Sequence, residues 1–280
     1  MRHKISSIAR YPVPLRLGFF LLALLLVWLP IAIPIYLLGH DSNTVSILTM
    51  LLLYGEFVVL LRWWGKRVYH QRKILQHYGL VKTQRNWLDL LCGLTIGVVL
   101  VFGLFLVEGW LGWLVWFPST GFLPQVVLEG LIVAIAVGFA EELLFRGWLL
   151  DELERDYRPS TALWANAIIF ALLHFIKPLT EIWRTLPQFP ALVVLGLALV
   201  WAKRLRNCLG LAIGLHAGLI WGYYIINVGR LTQYSGQVPD WVTGVDRNPL
   251  AGVMGLLFLA ILALGIRLRL NFLVPGKQAE

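Results

Sequence analysis

Glu141 and Glu142 stand side by side at the end of an uncharged run, Gly130 to Ala140, and Arg146 follows four residues after the second. His174 and His216 lie in later apolar stretches, the only two of the six histidines to do so. An ionisable side chain at bilayer depth costs at least ~2.5 kcal/mol on insertion scales, so a retained pair of carboxylates marks a functional site facing protein or a wet cavity. Consecutive helical residues are about 100° apart, so the two Glu cannot aim at one point, whereas Glu142 and Arg146, at i and i+4, meet. The two carboxylates therefore divide the work. Glu142 is expected to pair with the guanidinium, and Glu141 to point into the bundle as a general base. The blander reading is an ordinary intrahelical ion pair beside two hydrogen-bonded core histidines. The coincidence of all five residues favours the chemical one.

Two chemistries fit a Glu and two His that converge between helices. Glu141, His174 and His216 are candidate ligands for Zn²⁺, because His₂Glu with an open fourth position is a catalytic ligand set. The same residues can activate water by acid–base chemistry with no metal. The compact HExxH signature is absent, so the metal reading rests on ligand type alone.

The elements that must position these residues are membrane helices. Of 280 residues, 59% are hydrophobic and 14% charged, with a mean hydropathy of +0.74, the composition of a polytopic membrane protein. Apolar runs near 17–38, 44–63, 88–116, 125–150, 160–176, 188–202, 208–227 and 249–266 predict about eight spans and an all-α transmembrane helical bundle. If the N-terminus is cytoplasmic, all but Lys177, Arg184, Arg230 and Arg247 of the 24 Lys and Arg fall on the inner side. That asymmetry predicts both termini in the cytoplasm. It also accounts for the +9 formal charge without a nucleic-acid partner, leaving membrane lipid as the surface it meets. The first run is too long for a signal-peptide core and has no small-residue cleavage site after it, so it reads as a retained span, kinked at Pro30 and Pro34. Cys92 and Cys208 sit in or at apolar runs and read as small core residues.

Residues 1–280 read as a single membrane domain. The longest polar stretch, 64–86, is basic and is expected to hold an interfacial amphipathic helix. The fourth span continues past its apolar run: Leu143, Leu144, Trp148, Leu149, Leu150 and Leu153 repeat at mixed i+4 and i+5 steps, predicting a helix that ends before Arg158-Pro159. No internal repeat or matched pair of interrupted spans is present, which counts against the common secondary-transporter architectures.

Glu141-Glu142-Leu-Leu-Phe-Arg146, then Phe170-Ala-Leu-Leu-His174, then His216 resemble the EExxxR, FxxxH and HxxxN motifs of the CPBP family of intramembrane proteases, also called the Abi or CAAX-protease family. The resemblance covers residues 125–225, in order and on apolar helices. It implies an eight-helix fold with a cavity opening toward the cytoplasm. It also implies a glutamic or metallo-endopeptidase acting on a membrane-associated peptide or protein, with lipidated substrates included. In that family the first Glu, here Glu141, activates water, the two His assist at the oxyanion and can bind metal, and Glu142 with Arg146 supports them. The chain departs from the pattern four residues after His216, where the family has Asn or Asp and this sequence has Ile220. An oxyanion donor would then have to come from Asn166, Asn227 or His216 itself.

The span limits set Glu142 near the inner end of its helix and His174 near the outer end of the next. Because the site needs one depth, the boundary of the fifth span is expected to be wrong. Glu56, Glu108 and Glu129 read as interhelical hydrogen-bond partners, or as cavity lining in one case, and are given no catalytic role. The leading expectation is an intramembrane endopeptidase using Glu-activated water. A non-catalytic scaffold or immunity-like protein of the same fold is the alternative, and a proton-coupled transporter using Glu and His as a relay is the weaker third.

Overall fold

A computed structural model describes residues 6–118 and 121–273. Arg2, Lys4 and Lys277, which contribute to the charge pattern, lie outside them. The protein is an all-α integral membrane bundle. Its principal helices are α1 (Val13–Leu38), α2 (Ser42–Arg67), α3 (Gln84–Trp110), α4 (Leu123–Glu154), α5 (Pro159–Leu173), α6 (Phe189–Arg206), α7 (Gly210–Val228) and α8 (Val253–Leu273). Among the described residues seven helical segments are long and apolar enough to cross a membrane, the fifth of these running Leu179–Arg206 through a short 3₁₀ turn into α6. At 15 residues, α5 falls below the roughly 20 that a bilayer core requires.

The chain separates into two compact units. In the first, formed by the chain up to Tyr78 together with Asp151–Asp156, α1 packs on α2 through Phe20, which meets Phe57 and Trp64 edge-on. Pro30 and Pro34 lie inside an unbroken α1. Arg16 is buried, its Nε donating to Glu152 Oε2 at 2.8 Å and its Nη1 to Asp156 Oδ1 at 2.9 Å. It is thus a neutralised internal charge and not one facing the headgroups. The amphipathic helix expected over 64–86 reduces to one turn, Ile74–His77. The reason is that α2 claims the residues as far as Arg67, and His70, with φ of 54°, breaks any continuation.

The second unit holds the remaining helices. Within it α7 packs on α3 and α4, and α6 packs on α5 and α8. Within this unit the apolar windows of the spans ending in α6 and α7 are each 61% buried, against 22–28% for α3, α4 and α8, so these two form its centre. Small residues allow the close approach. A Cβ on Gly97 of α3 would sit 2.7 Å from both Leu215 O and Leu219 N of α7, and one on Gly138 of α4 would sit 3.1 Å from Ala217 N. His216 is therefore fixed between two backbones that nearly touch its own. After α3, Gly112 turns the chain at φ of 77°, and the run expected to continue the span to 116 becomes a strand, β1 (Leu114–Trp116). It pairs antiparallel with β2 (Thr232–Tyr234), with Leu114 opposite Tyr234.

Gly97→Leu should separate α3 from α7 and cost more than the ~1–3 kcal/mol usual for overpacking, because backbone and not side chain obstructs the new atoms. The measurement is the monodisperse fraction after detergent extraction, which should fall sharply relative to a lipid-facing control such as Leu106→Phe.

Candidate active site

The acidic pair occupies the last turn of regular α-helix in α4, immediately before a π-helical segment, Leu143–Leu149. Such segments occur often at functional sites. The i+5 spacing from Leu143 to Trp148 and from Leu144 to Leu149 matches the wider turn, so the mixed steps in the sequence carried this signal. Widening also releases backbone carbonyls: Arg146 O accepts from Lys203 Nζ of α6 at 2.6 Å.

Glu142 and Arg146 are both fully buried, and Arg146 Nη1 donates to Glu142 Oε1 at 2.9 Å. The same oxygen lies 2.8 Å from His216 Nδ1 on α7. A carboxylate paired with a guanidinium accepts, so His216 Nδ1 carries the proton and Nε2 the lone pair. That Nε2 lies 3.9 Å from Glu141 Oε2, an oxygen enclosed by protein and without a hydrogen-bond partner among the described residues. One imidazole thus touches both carboxylates, by opposite nitrogens.

Phe170 explains why the histidine of α5 stands where it does. Its ring carries the Arg146 guanidinium 4.3 Å from the centroid. It also meets the His174 ring edge-on at 4.6 Å and the His216 ring at 6.0 Å. His174 caps the end of α5, its Nδ1 donating to Phe170 O at 2.8 Å. Its ring is exposed to a cavity of about 290 Å³ that Glu141, His174 and His216 line together with Ile220. The depth conflict resolves through α4. Because that helix runs on to Glu154, Glu141 lies about 20 Å from its end, and His174 about 22 Å from the start of α5, at 1.5 Å per residue. The fifth-span boundary moved by only a few residues.

Asn166 does not serve the cavity, since its Nδ2 donates to Phe145 O at 2.8 Å. Asn227 lines a separate polar cavity. The polar residues that do line the first one, besides the acid and the imidazoles, are Gln188, Tyr223 and Asn248. Asn248 Oδ1 is committed to Leu250 N at 3.0 Å and Tyr223 Oη donates to Arg247 O at 3.1 Å. Sequence reasoning missed Gln188, in the 3₁₀ turn that leads into α6, and Asn248, in the connection to α8. Among the other carboxylates, Glu108 accepts from Tyr234 Oη at 3.2 Å and Glu129 from Gln125 Nε2 at 2.7 Å, while Glu56 has no hydrogen bond among the described residues. None of the three lines this cavity.

Among the described residues no three Asp, Glu, His or Cys side chains converge as a metal would require. Glu141, His174 and His216 as arranged therefore do not fit the zinc site their types suggested, and no step below is routed through a metal.

Removing one partner of a buried ion pair costs about 3–5 kcal/mol. Arg146→Met should lower the free energy of unfolding in detergent by that order, and the thermal midpoint with it. Combining it with Glu142→Gln should recover part of the loss, a coupling of about 0.5–3 kcal/mol in a double-mutant cycle. Additive losses would mean the pair is not coupled.

Residues 123–222 match the family described as Rce1-like, type II CAAX prenyl endopeptidase Rce1-like. Comparison with curated proteins and with solved structures yields no match. The matched stretch starts with α4, ends within α7 and contains both Glu, Arg146 and both His. Over this stretch, about a third of the chain, the protein is similar to a CAAX prenyl endopeptidase family.

Proposed function

We propose that the protein is an intramembrane endopeptidase that hydrolyses a peptide bond of a membrane-associated substrate with water activated by Glu141. The observation that carries this is the partnerless Glu141 Oε2 facing His216 Nε2 across 3.9 Å. Glu141 lines the cavity while its Oε2 is enclosed beside His216 Nε2, so a small shift of the carboxyl admits one water that donates a hydrogen to each acceptor and turns its lone pair toward the cavity. Glu141 takes one proton as the water oxygen bonds to the carbonyl carbon, then returns it to the amine as the C–N bond breaks. His216 cannot rotate away, because its other nitrogen is tied to Glu142, which Arg146 holds in turn. His174 donates to the developing oxyanion only as an imidazolium, since its Nδ1 proton is already given to Phe170 O. The amides of Gln188 and Asn248 are the neutral donors within the cavity. Leucine-rich walls suit apolar substrate side chains, and a lipidated segment is compatible with them.

The expected opening toward the cytoplasm meets a counter-argument. Under the charge pattern, the connections that supply Gln188 and Asn248 lie on the opposite side of the membrane, so access runs from that side or laterally. Labelling of Asn248→Cys by a membrane-impermeant maleimide in right-side-out vesicles tests this.

Glu141→Gln should lower cleavage of a quenched peptide by at least ~10²-fold while leaving the thermal midpoint within a few degrees of wild type. Wild-type turnover in that variant would remove Glu141 from the mechanism. One observation favours a second reading, a non-catalytic scaffold of the same fold: Ile220 presents an apolar side chain to the cavity where the family carries a donor. Full complementation of a deletion strain by Glu141→Gln would favour it.

A further inference from the structure

α4 serves two neighbourhoods that a regular helix could not serve together. Before the wide turn its contacts are with α7: a Cβ on Gly138 would sit 3.1 Å from both Ile213 O and Ala217 N, and Glu142 accepts from His216. Within the turn its partners change to α5 and α6. The Phe145 ring meets Phe170 edge-on at 5.0 Å, and Arg146 Nη2 donates to Gly196 O at 3.4 Å. A π turn holds one residue more than an α turn, and one residue is about 100° of rotation. Were Leu143–Leu149 to close into regular α-helix with Glu142 still on His216, Phe145 and Arg146 would swing by that angle away from α5 and α6. Were those two to stay, the Glu pair would swing away from α7.

Because π-helix is rare and usually confined to one turn, the surroundings must select it here. Two side chains from other helices do so at successive carbonyls. Asn166 of α5 donates from Nδ2 to Phe145 O at 2.8 Å, and Lys203 of α6 donates from Nζ to Arg146 O at 2.6 Å. Leu150 N reaches the same Phe145 O from five residues along the chain, so Asn166 shares its acceptor with a hydrogen bond of the wide turn itself. Asn166 is fully buried, and its Oδ1 has no hydrogen-bond partner among the described residues. An apolar side chain of similar size would avoid that cost, so the amide is explained by its donor half. Lys203 brings an ammonium, which makes its hydrogen bond charge-assisted and the stronger kind.

We propose that Asn166 and Lys203 are positioning residues for the reaction: by holding Phe145 O and Arg146 O they keep this turn of α4 wide, and so keep Glu142 on His216 and Glu141 beside its Nε2. Neither lines the catalytic cavity; both act through the backbone of α4. The inference rests on the endopeptidase reading of that cavity and extends its machinery to two residues outside it.

The test combines Asn166→Leu with Lys203→Met in the full-length protein in zwitterionic nanodiscs. Misplacing a catalytic group by about an ångström costs on the order of 10²-fold, so kcat for a quenched peptide should fall by about that factor while KM stays within about twofold. Lys203→Met alone should lose about 10-fold, and Lys203→Arg, which keeps a charged donor, should retain most of the wild-type kcat. A second readout is independent of turnover. In protein labelled with ¹⁵N-histidine, the His216 imidazole, assigned against His216→Gln, should show one fixed tautomer with its proton on Nδ1 in wild type, and a mixture in the double variant. Loss of the fixed tautomer in the double variant, with no cleavage by wild type, would uphold the positioning role and sink the protease reading. A double variant that keeps either the wild-type kcat or the fixed tautomer would overturn the proposal, as would equal losses from Lys203→Arg and Lys203→Met. If the double variant is not recovered in monodisperse form, Lys203→Met against Lys203→Arg decides by the same two readouts.

Discussion

One carboxylate oxygen organises the core of this protein. Glu142 Oε1 takes hydrogen bonds from Arg146 of its own helix and from His216 of another, at 2.9 and 2.8 Å, with no access to solvent. A lone charge in that position would be costly, and even a pair gains little net stability over an apolar equivalent. What the arrangement supplies is direction. It fixes the imidazole's tautomer, turns its free nitrogen toward Glu141, and leaves Glu141 as the carboxylate that faces the cavity.

Holding that oxygen in place requires backbones to approach more closely than ordinary side chains permit. Gly97, Gly138 and the glycines of α7 remove the Cβ atoms that would keep α3, α4 and α7 apart. In a bilayer, where apolar side chains gain nothing by leaving lipid, such contact is a main source of helix association. The π-helical turn acts in the same direction. It lets Arg146 reach Glu142 and the Phe170 ring at once, while its released carbonyl engages Lys203. Phe170 then links three charged or polar groups through its face and edges, which a smaller apolar residue could not do.

The two cavities divide chemistry by position along α7. Toward its start, the helix presents His216 to an apolar chamber that Glu141 also lines. At its end, Asn227 and Arg230 face a polar space closed by β2.

Much of this was legible in the sequence because the bilayer imposes strong rules. Long apolar runs had to be helices, and the five residues Glu141, Glu142, Arg146, His174 and His216 stood out because ionisable groups are rare within such runs. The i,i+4 step identified which Glu Arg146 could reach. Even the π turn left its trace in the i+5 leucine spacing. What the sequence did not reveal depends on contacts between segments remote along the chain. That Asn166 is spent on Phe145, that Gln188 and Asn248 line the cavity, and that the three metal candidates fail to converge are all outcomes of helix packing. Periodicity reports which face of a helix is apolar, and says nothing about which residue of another helix will lie against it; that was decided by where glycines let backbones meet.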